Sequence, residues 1–269
     1  MSTIGFIGSG NMAEALIKGI IAADVYRPQD IIISDVRGER LEWLAREYKV
    51  RTAQNNIDLV GKADVVVLSV KPQNMDEVLG QVKGKLREGA IVISIAAGIT
   101  TAKISAALGD VPIIRVMPNT PALVGEGASA LFAKNAGGEA MGLAMKIFGV
   151  VGKAVVVDKE ELIDAVTAVS GSGPAYFFLL AEEMIKAGEK LGLDEATAKE
   201  LVLQTAKGAA LLAEQADGRG ETAAELRRKV TSPGGTTEAA LKVFAEQEFS
   251  RLVSKALTAA RDRSKELSG

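Results

Sequence analysis

The chain has 269 residues, 48% of them apolar and 25% charged, with a formal net charge of −2. That balance supplies a sizeable core and excludes a disordered chain, and it gives no electrostatic reason to expect nucleic acid or an anionic membrane as partner. The sequence contains no cysteine and no histidine, which excludes disulfides and thiolate nucleophiles and removes the commonest general acid–base and the commonest transition-metal ligand, so no metal site is expected.

The sequence shows neither a basic leader with a cleavage site nor an apolar run near the ~20 residues that span a bilayer. The expectation is a soluble, cytoplasmic protein. Ile4, Phe6 and Ile7 form a strand-like run that meets a glycine turn, and Ala15, Leu16, Ile17, Ile20 and Ile21 follow at helical spacing. Between them Gly8, Gly10 and Ala13 have the spacing of a dinucleotide fingerprint. The first glycine allows the turn, the second lets the backbone approach a pyrophosphate, and Ala13 keeps helix and strand close. Phosphate then rests on free N–H groups at the positive end of the helix.

Residues 30–34 read as a second strand that closes a βαβ unit. Asp35 follows, where an acid bonds a ribose 2′-hydroxyl; Arg37 and Arg40 stand just beyond, where they could meet a 2′-phosphate instead. NADH and NADPH both stay open. After a short strand at 50–52 and a polar loop with Asn55 and Asn56, the run 63–70 is almost continuously apolar, as a parallel strand buried on both faces should be. It ends at Lys71-Pro72, in a loop of the kind that forms the ligand crevice of an α/β sheet. Strand 90–95 leads to the small-residue turn 96–98. Strand 113–117 leads to Pro118-Asn119-Thr120-Pro121, whose prolines hold Asn119 in place. A strand at 128–133, a helix to about 150 and a strand at 154–157 complete a doubly wound sheet.

From 160 onward the spacing is helical throughout: 162–169, 175–191, 195–213, 223–230, 237–245 and 249–267, with Gly- and Pro-rich breaks between. The expected fold class is therefore α/β: a Rossmann-type doubly wound domain over 1–159 and an all-helical domain over 160–269. The second domain's Ala-rich helices carry more apolar face than one helix pair would bury, which points to a dimer formed through it. Two of its loops stand out. Residues 171–176 are small enough for close backbone approach, equally for packing or for binding. Residues 230–237 join two glycines and several hydroxyls to the free N–H groups of a helix start, which together make a carboxylate cradle.

With these residues in view, the chain resembles the pyrroline-5-carboxylate reductases over essentially its whole length. The stretches that carry the resemblance are 5–12, 70–72, 96–98, 117–121, 170–176 and 232–237, in family order. The resemblance implies a helical domain that interlocks with a second subunit as a homodimer, with rings of dimers in some members. By position, Ile7, Gly8, Ser9, Gly10, Asn11 and Met12 would hold the pyrophosphate, and Asp35 and Arg37 would face the adenine ribose. Asn56, Ser69, Val70, Lys71, Pro72, Ile95, Ala96 and Ala97 would line the remaining cofactor path, with Asn119 beside it. Ser232, Gly234, Gly235, Thr236 and Thr237 would bind the substrate carboxylate, Thr237 would bond the ring nitrogen, and Glu160 is a further substrate-site candidate.

The implied reaction is hydride transfer from NADPH or NADH to the imine carbon of 1-pyrroline-5-carboxylate, giving L-proline. A cyclic imine protonates readily and its carbon is then electrophilic, so catalysis needs little beyond holding donor and acceptor at about 3–3.5 Å. A hydroxyacid dehydrogenase of similar architecture would carry a lysine early in the helix after 174, where this chain has Tyr176-Phe177-Phe178-Leu179-Leu180. A nucleotide sensor without turnover would need the Gly8–Ala13 turn but not the cradle.

Overall fold

The computed structural model describes residues 2–268. It forms two compact units: the chain up to Pro174 together with the segment from Ala259 on, and Ala175–Thr258. The first unit contains β1 (Ile4–Ile7), β2 (Ile31–Ser34), β3 (Arg51–Thr52), β4 (Val65–Leu68), β5 (Ile91–Ser94), β6 (Ile113–Met117), β7 (Gly127–Lys134) and β8 (Gly152–Val156). Its helices are α1 (Asn11–Ala22), α2 (Gly38–Tyr48), α3 (Asn56–Val60), α4 (Met75–Val82), α5 (Thr101–Leu108), α6 (Gly138–Gly149) and α7 (Leu162–Val166).

The strands form one sheet in the order β3-β2-β1-β4-β5-β6-β7-β8. Every residue of β1, β2 and β4 is buried, because successive side chains point to opposite faces and both faces are covered. Val65 and Val67 join Phe6, Leu16 and Phe148 in one core, while Val66 and Leu68 join Ile7, Leu59 and Met75 in the other. β1 pairs in parallel with β2 on one side and β4 on the other, in registers that set Ile7 level with both Ser34 and Leu68. Strand order reverses at β1, and the crevice of such a sheet opens at the carboxyl ends there.

The sheet is doubly wound with one departure. β7 runs antiparallel to β6, and β8 then pairs in parallel with β7. The link across 118–126 holds only a 3₁₀ turn, Thr120–Val124, too short for the crossover helix that a parallel partner needs. α3 lies where the sequence suggested a polar loop, and α4 in a stretch to which it assigned no element; α4 buries Met75, Val78, Leu79 and Val82 as a stripe on the sheet.

The remaining helices are α8 (Gly173–Lys190), α9 (Glu195–Asp217), α10 (Ala223–Lys229), α11 (Thr236–Glu246) and α12 (Phe249–Ser268). In the second unit only Ala198 and Ala216 are buried. Large apolar side chains such as Phe177 (73% exposed), Phe178, Leu201 and Leu252 face outward, so these helices do not close a core of their own. One helical stretch, Leu162–Lys190, is long and apolar enough by length and composition to cross a membrane, which the sequence had not suggested. Residues 171–174 read as a break, but a π-helical turn over Thr167–Gly171 runs into it and α8 resumes at Gly173. Gly171 serves packing there, since a Cβ would lie 2.4 Å from Met117 Cε.

Candidate active site

The crevice begins at Gly8, whose φ of +89° is one that only glycine adopts without strain. Its N–H donates to the Ser34 carbonyl at 2.8 Å, and a Cβ would stand 2.6 Å from the Ser69 carbonyl oxygen. The turn is thereby wedged between the ends of β2 and β4. Gly10 caps α1 with no side chain bonded to the cap, and a Cβ there would meet nothing within 4 Å. The first-turn N–H groups of Asn11 and Met12 have no partner within the helix, the setting that anions take at a helix start. Ala13 is fully buried.

Asp35 turns back toward this turn. Its carboxylate accepts from Ser9 N at 2.8 Å, from Arg37 N at 3.0 Å and from Arg37 Nε at 3.1 Å and Nη2 at 3.3 Å. Burial raises its pKa, but these hydrogen bonds and the Arg37 charge outweigh that and hold it below the usual carboxylate range. Arg40 is committed elsewhere. Its guanidinium bonds the Ser9 carbonyl at 2.8 Å, pairs with Glu14 and lies 5.0 Å from the centre of the Trp43 ring. Val36, between Asp35 and Arg37, is wholly exposed, an apolar side chain at the lip that the sequence reading passed over.

Asn56 opens α3 and is held by its amide, accepting from Ser34 Oγ and donating to Gln81 Oε1, both at 2.7 Å. Ser69 N donates to the Ile7 carbonyl at 2.8 Å, Val70 packs beside Gly8, and Lys71 and Pro72 are exposed. Ile95 N donates to the Leu68 carbonyl at 3.1 Å; Ala96 is buried and Ala97 exposed. These residues share the carboxyl-end rim of β1, β2, β4 and β5.

Two expected site residues have their side chains spent inside the protein. Asn119 donates from Nδ2 to the Ser170 carbonyl at 3.1 Å and accepts the N–H of Ala128 at 2.8 Å. It ties the link after β6 to β7 and to the π turn. Glu160 accepts from Thr101 N at 2.7 Å, from Thr101 Oγ1 at 2.5 Å and from Arg115 Nη1 at 2.9 Å. Burial raises its pKa, yet the Thr101 bonds and the Arg115 guanidinium bring it below the ordinary value. Its carboxylate anchors α5 to β6 and leaves little capacity for a ligand.

In the second unit, residues 230–235 link α10 to α11. Gly234 has φ +73° and Gly235 is the N-cap of α11. The N–H groups of Thr236, Thr237 and Glu238 open the helix and have no partner within it. The cradle is narrower than the sequence suggested. Gly234 N–H is taken by Glu238 Oε2 at 2.7 Å, and Gly235 N–H by the Ser232 carbonyl at 3.0 Å. Thr231 Oγ1 turns away to the Arg227 carbonyl at 2.6 Å. Thr237 is half-buried and Thr236 exposed. A shallow cleft beside the turn is lined by Gly234, Gly235, Glu238 and Lys242 among others.

A dinucleotide crevice on a Rossmann-type sheet, in a chain whose other helices lack a core, defines a nicotinamide-dependent oxidoreductase built around an oligomerisation domain. The comparisons agree: residues 160–267 match the family model for pyrroline-5-carboxylate reductase dimerisation, and residues 3–98 match the model described as NADP oxidoreductase, coenzyme F420-dependent. A pyrroline-5-carboxylate reductase of Pseudomonas aeruginosa is 50% identical, the alignment covering 99% of this chain and 98% of that protein. A solved pyrroline-5-carboxylate reductase of Coxiella burnetii superposes with a TM-score of 0.93 at 42% identity, covering 100% of this chain and 99% of the other. The Plasmodium falciparum enzyme, solved with NADP bound, gives 0.87 at 31% identity over 100% and 98%. The chain belongs to the pyrroline-5-carboxylate reductase family, NAD(P)H-dependent oxidoreductases of proline biosynthesis.

Proposed function

We propose that this chain reduces 1-pyrroline-5-carboxylate to L-proline with a nicotinamide held in the β1/β4 crevice and a substrate held at the start of α11. The pyrophosphate lies on the N–H groups of Asn11 and Met12, the adenine ribose meets Asp35 and Arg37, and Val36 offers the adenine an apolar neighbour. Ser69, Val70, Lys71, Pro72 and the Ile95–Ala97 lip line the rest of the path. Asn56 and Asn119 shape that path through their hydrogen bonds, and Glu160 acts in the same way.

The substrate carboxylate rests on the Thr236 and Thr237 N–H groups, with Ser232, Gly234 and Gly235 shaping the turn. A bound dihydronicotinamide would supply the hydride that the imine carbon takes up, the C=N electron pair moving to the ring nitrogen. That nitrogen enters protonated and leaves as the secondary amine of proline; the Thr237 hydroxyl orients it. The observation carrying this reading is the pairing of open N–H groups with a half-buried hydroxyl at one helix start. Thr237→Val should cut turnover of 1-pyrroline-5-carboxylate, followed by NAD(P)H absorbance, at least tenfold with NAD(P)H affinity unchanged. Equal loss of both would refute the role.

The working form is a homodimer in the cytoplasm, joined through the domain over 160–269, with rings of dimers as its higher assembly. Outward-facing Phe177, Phe178, Leu201 and Leu252 support a second copy as the cover. The family's dimerisation model spans the same helices, which favours that cover over a bilayer for Leu162–Lys190. The net charge of −2 gives no electrostatic reason to expect nucleic acid as a partner.

A further inference from the structure

The carboxyl-terminal turn of α12 stands against the cofactor rim. A Cβ added to Gly98 would lie 2.9 Å from the carbonyl oxygen of Leu267 and 3.2 Å from its Cβ. Gly98 has φ +71° and follows Ile95, Ala96 and Ala97 directly, so the α12 backbone touches the turn that closes this lip. The last turn is itself pinned. Ser264 Oγ donates to Asp164 Oδ1 at 2.7 Å, with both residues buried, and Ser268 Oγ donates back to the Ser264 carbonyl at 3.0 Å. Beyond Gly98 the chain is fixed a second time, where Thr101 bonds Glu160 through both its N–H and its hydroxyl. Asp164 and Glu160 belong to one short segment around the start of α7. The lip is thus bracketed by two carboxylates, one acting through α12 and one through α5.

We infer that the last turn of α12, seated on Gly98 and pinned by the Ser264–Asp164 hydrogen bond, is a positioning element that sets where the Ile95–Ala97 lip stands against the cofactor. This rests on the reading that the crevice holds the dinucleotide. Leu267 and Ser268 touch no reacting atom in this scheme; they act through Gly98.

The test compares the full chain with one ending at Glu266, measuring NADPH affinity by fluorescence titration and KM for both substrates. The Leu267 side chain is 59% exposed, so its removal should leave the thermal midpoint almost unmoved. NADPH affinity should nevertheless fall by about three- to tenfold, with KM for 1-pyrroline-5-carboxylate and the dimer unchanged. Ser264→Ala should weaken NADPH binding in the same direction and also lower the midpoint, because it strands a buried carboxylate. Asp164→Asn keeps the accepting oxygen and should retain cofactor affinity. Unchanged NADPH affinity in both the shortened chain and Ser264→Ala overturns the inference, as does parallel loss for both substrates. Gly8→Ala separates the two levels. If it weakens NADPH binding while neither the shortened chain nor Ser264→Ala does, the positioning role alone falls. If it leaves NADPH binding intact, the crevice reading falls and the inference with it.

Discussion

Glu238 Oε2 accepts the backbone N–H of Gly234 at 2.7 Å. A carboxylate of the chain itself thereby occupies one of the amides in the turn that should receive a substrate carboxylate. The bond fixes Gly234 in its left-handed conformation, and it also sets a negative charge beside the proposed carboxylate site.

Glu238→Gln keeps an accepting oxygen for Gly234 and removes the charge. KM for 1-pyrroline-5-carboxylate should fall about two- to fivefold with kcat unchanged, the size expected of one partly screened like-charge contact. Steady-state kinetics at low and high salt are the check. The advantage should shrink as salt rises, and a raised KM would mean that the substrate uses Glu238 rather than avoiding it.

Arg37 and Arg40 looked interchangeable as readers of a 2′-phosphate, and their surroundings separate them. The Arg37 side chain is 61% exposed and, among the described residues, paired only with Asp35, whereas that of Arg40 is 19% exposed and bound to Glu14. Arg37→Ala should lower kcat/KM with NADPH by about tenfold or more and leave NADH within about twofold, since a guanidinium–phosphate contact is a strong charge-assisted bond. Arg40→Ala should weaken both cofactors alike by loosening the Ser9 carbonyl. The NADPH/NADH ratio of each variant decides, and a ratio unmoved by Arg37→Ala ends this assignment.

Gly8→Ala combines a positive φ with a collision against the Ser69 backbone. The two nearest atoms belong to the Ser69 backbone, which cannot yield as a flexible side chain can, so the variant should lose about 1–3 kcal/mol of stability and most of its dinucleotide affinity. Chemical denaturation and NAD(P)H titration measure the two losses. Gly10→Ala, with open space around its Cβ, should keep the stability and lose mainly the affinity.

The β1, β2 and β4 runs were legible because strands buried on both faces must be apolar at every position, and the helices after 160 because their period survives over several turns. α3 and α4 were not, being short and set between polar loops whose composition dominates the reading. The direction of β7 was hidden too, since burial patterns carry no sense of strand direction. At the site, Gly8, Gly10 and Asp35 announced themselves through spacing. Arg40's commitment depended on Glu14, which comes near it only once β2 pairs with β1. Glu160 became a substrate-site candidate through the family resemblance alone, and nothing in its own neighbourhood foretells its bonds to Thr101 and Arg115. The contact between Gly98 and Leu267 joins residues far apart in the sequence, and no local pattern encodes it.

The Glu160–Arg115 pair yields a pH prediction. Arg115 is nearly sealed, its side chain 4% exposed, and Glu160 is its carboxylate partner at 2.9 Å. Glu160 titrates below its ordinary value of 4.5 in the folded protein, so the folded state binds its proton less readily than the unfolded chain. Its stabilisation is therefore fully present above about pH 4.5 and is lost as pH falls through the lower folded value. Glu160→Gln leaves the Arg115 guanidinium without a countercharge and should cost about 3 kcal/mol near neutrality. That deficit should narrow steadily in denaturation curves taken from pH 6 down to about pH 3, because the parent protein gives up the same charge over that window. A deficit that stays constant across the range would place the cost in packing or in the lost Thr101 bond rather than in the ion pair. Thr101→Val separates these, since it removes the hydroxyl donor while leaving the charge pair and its pH dependence in place.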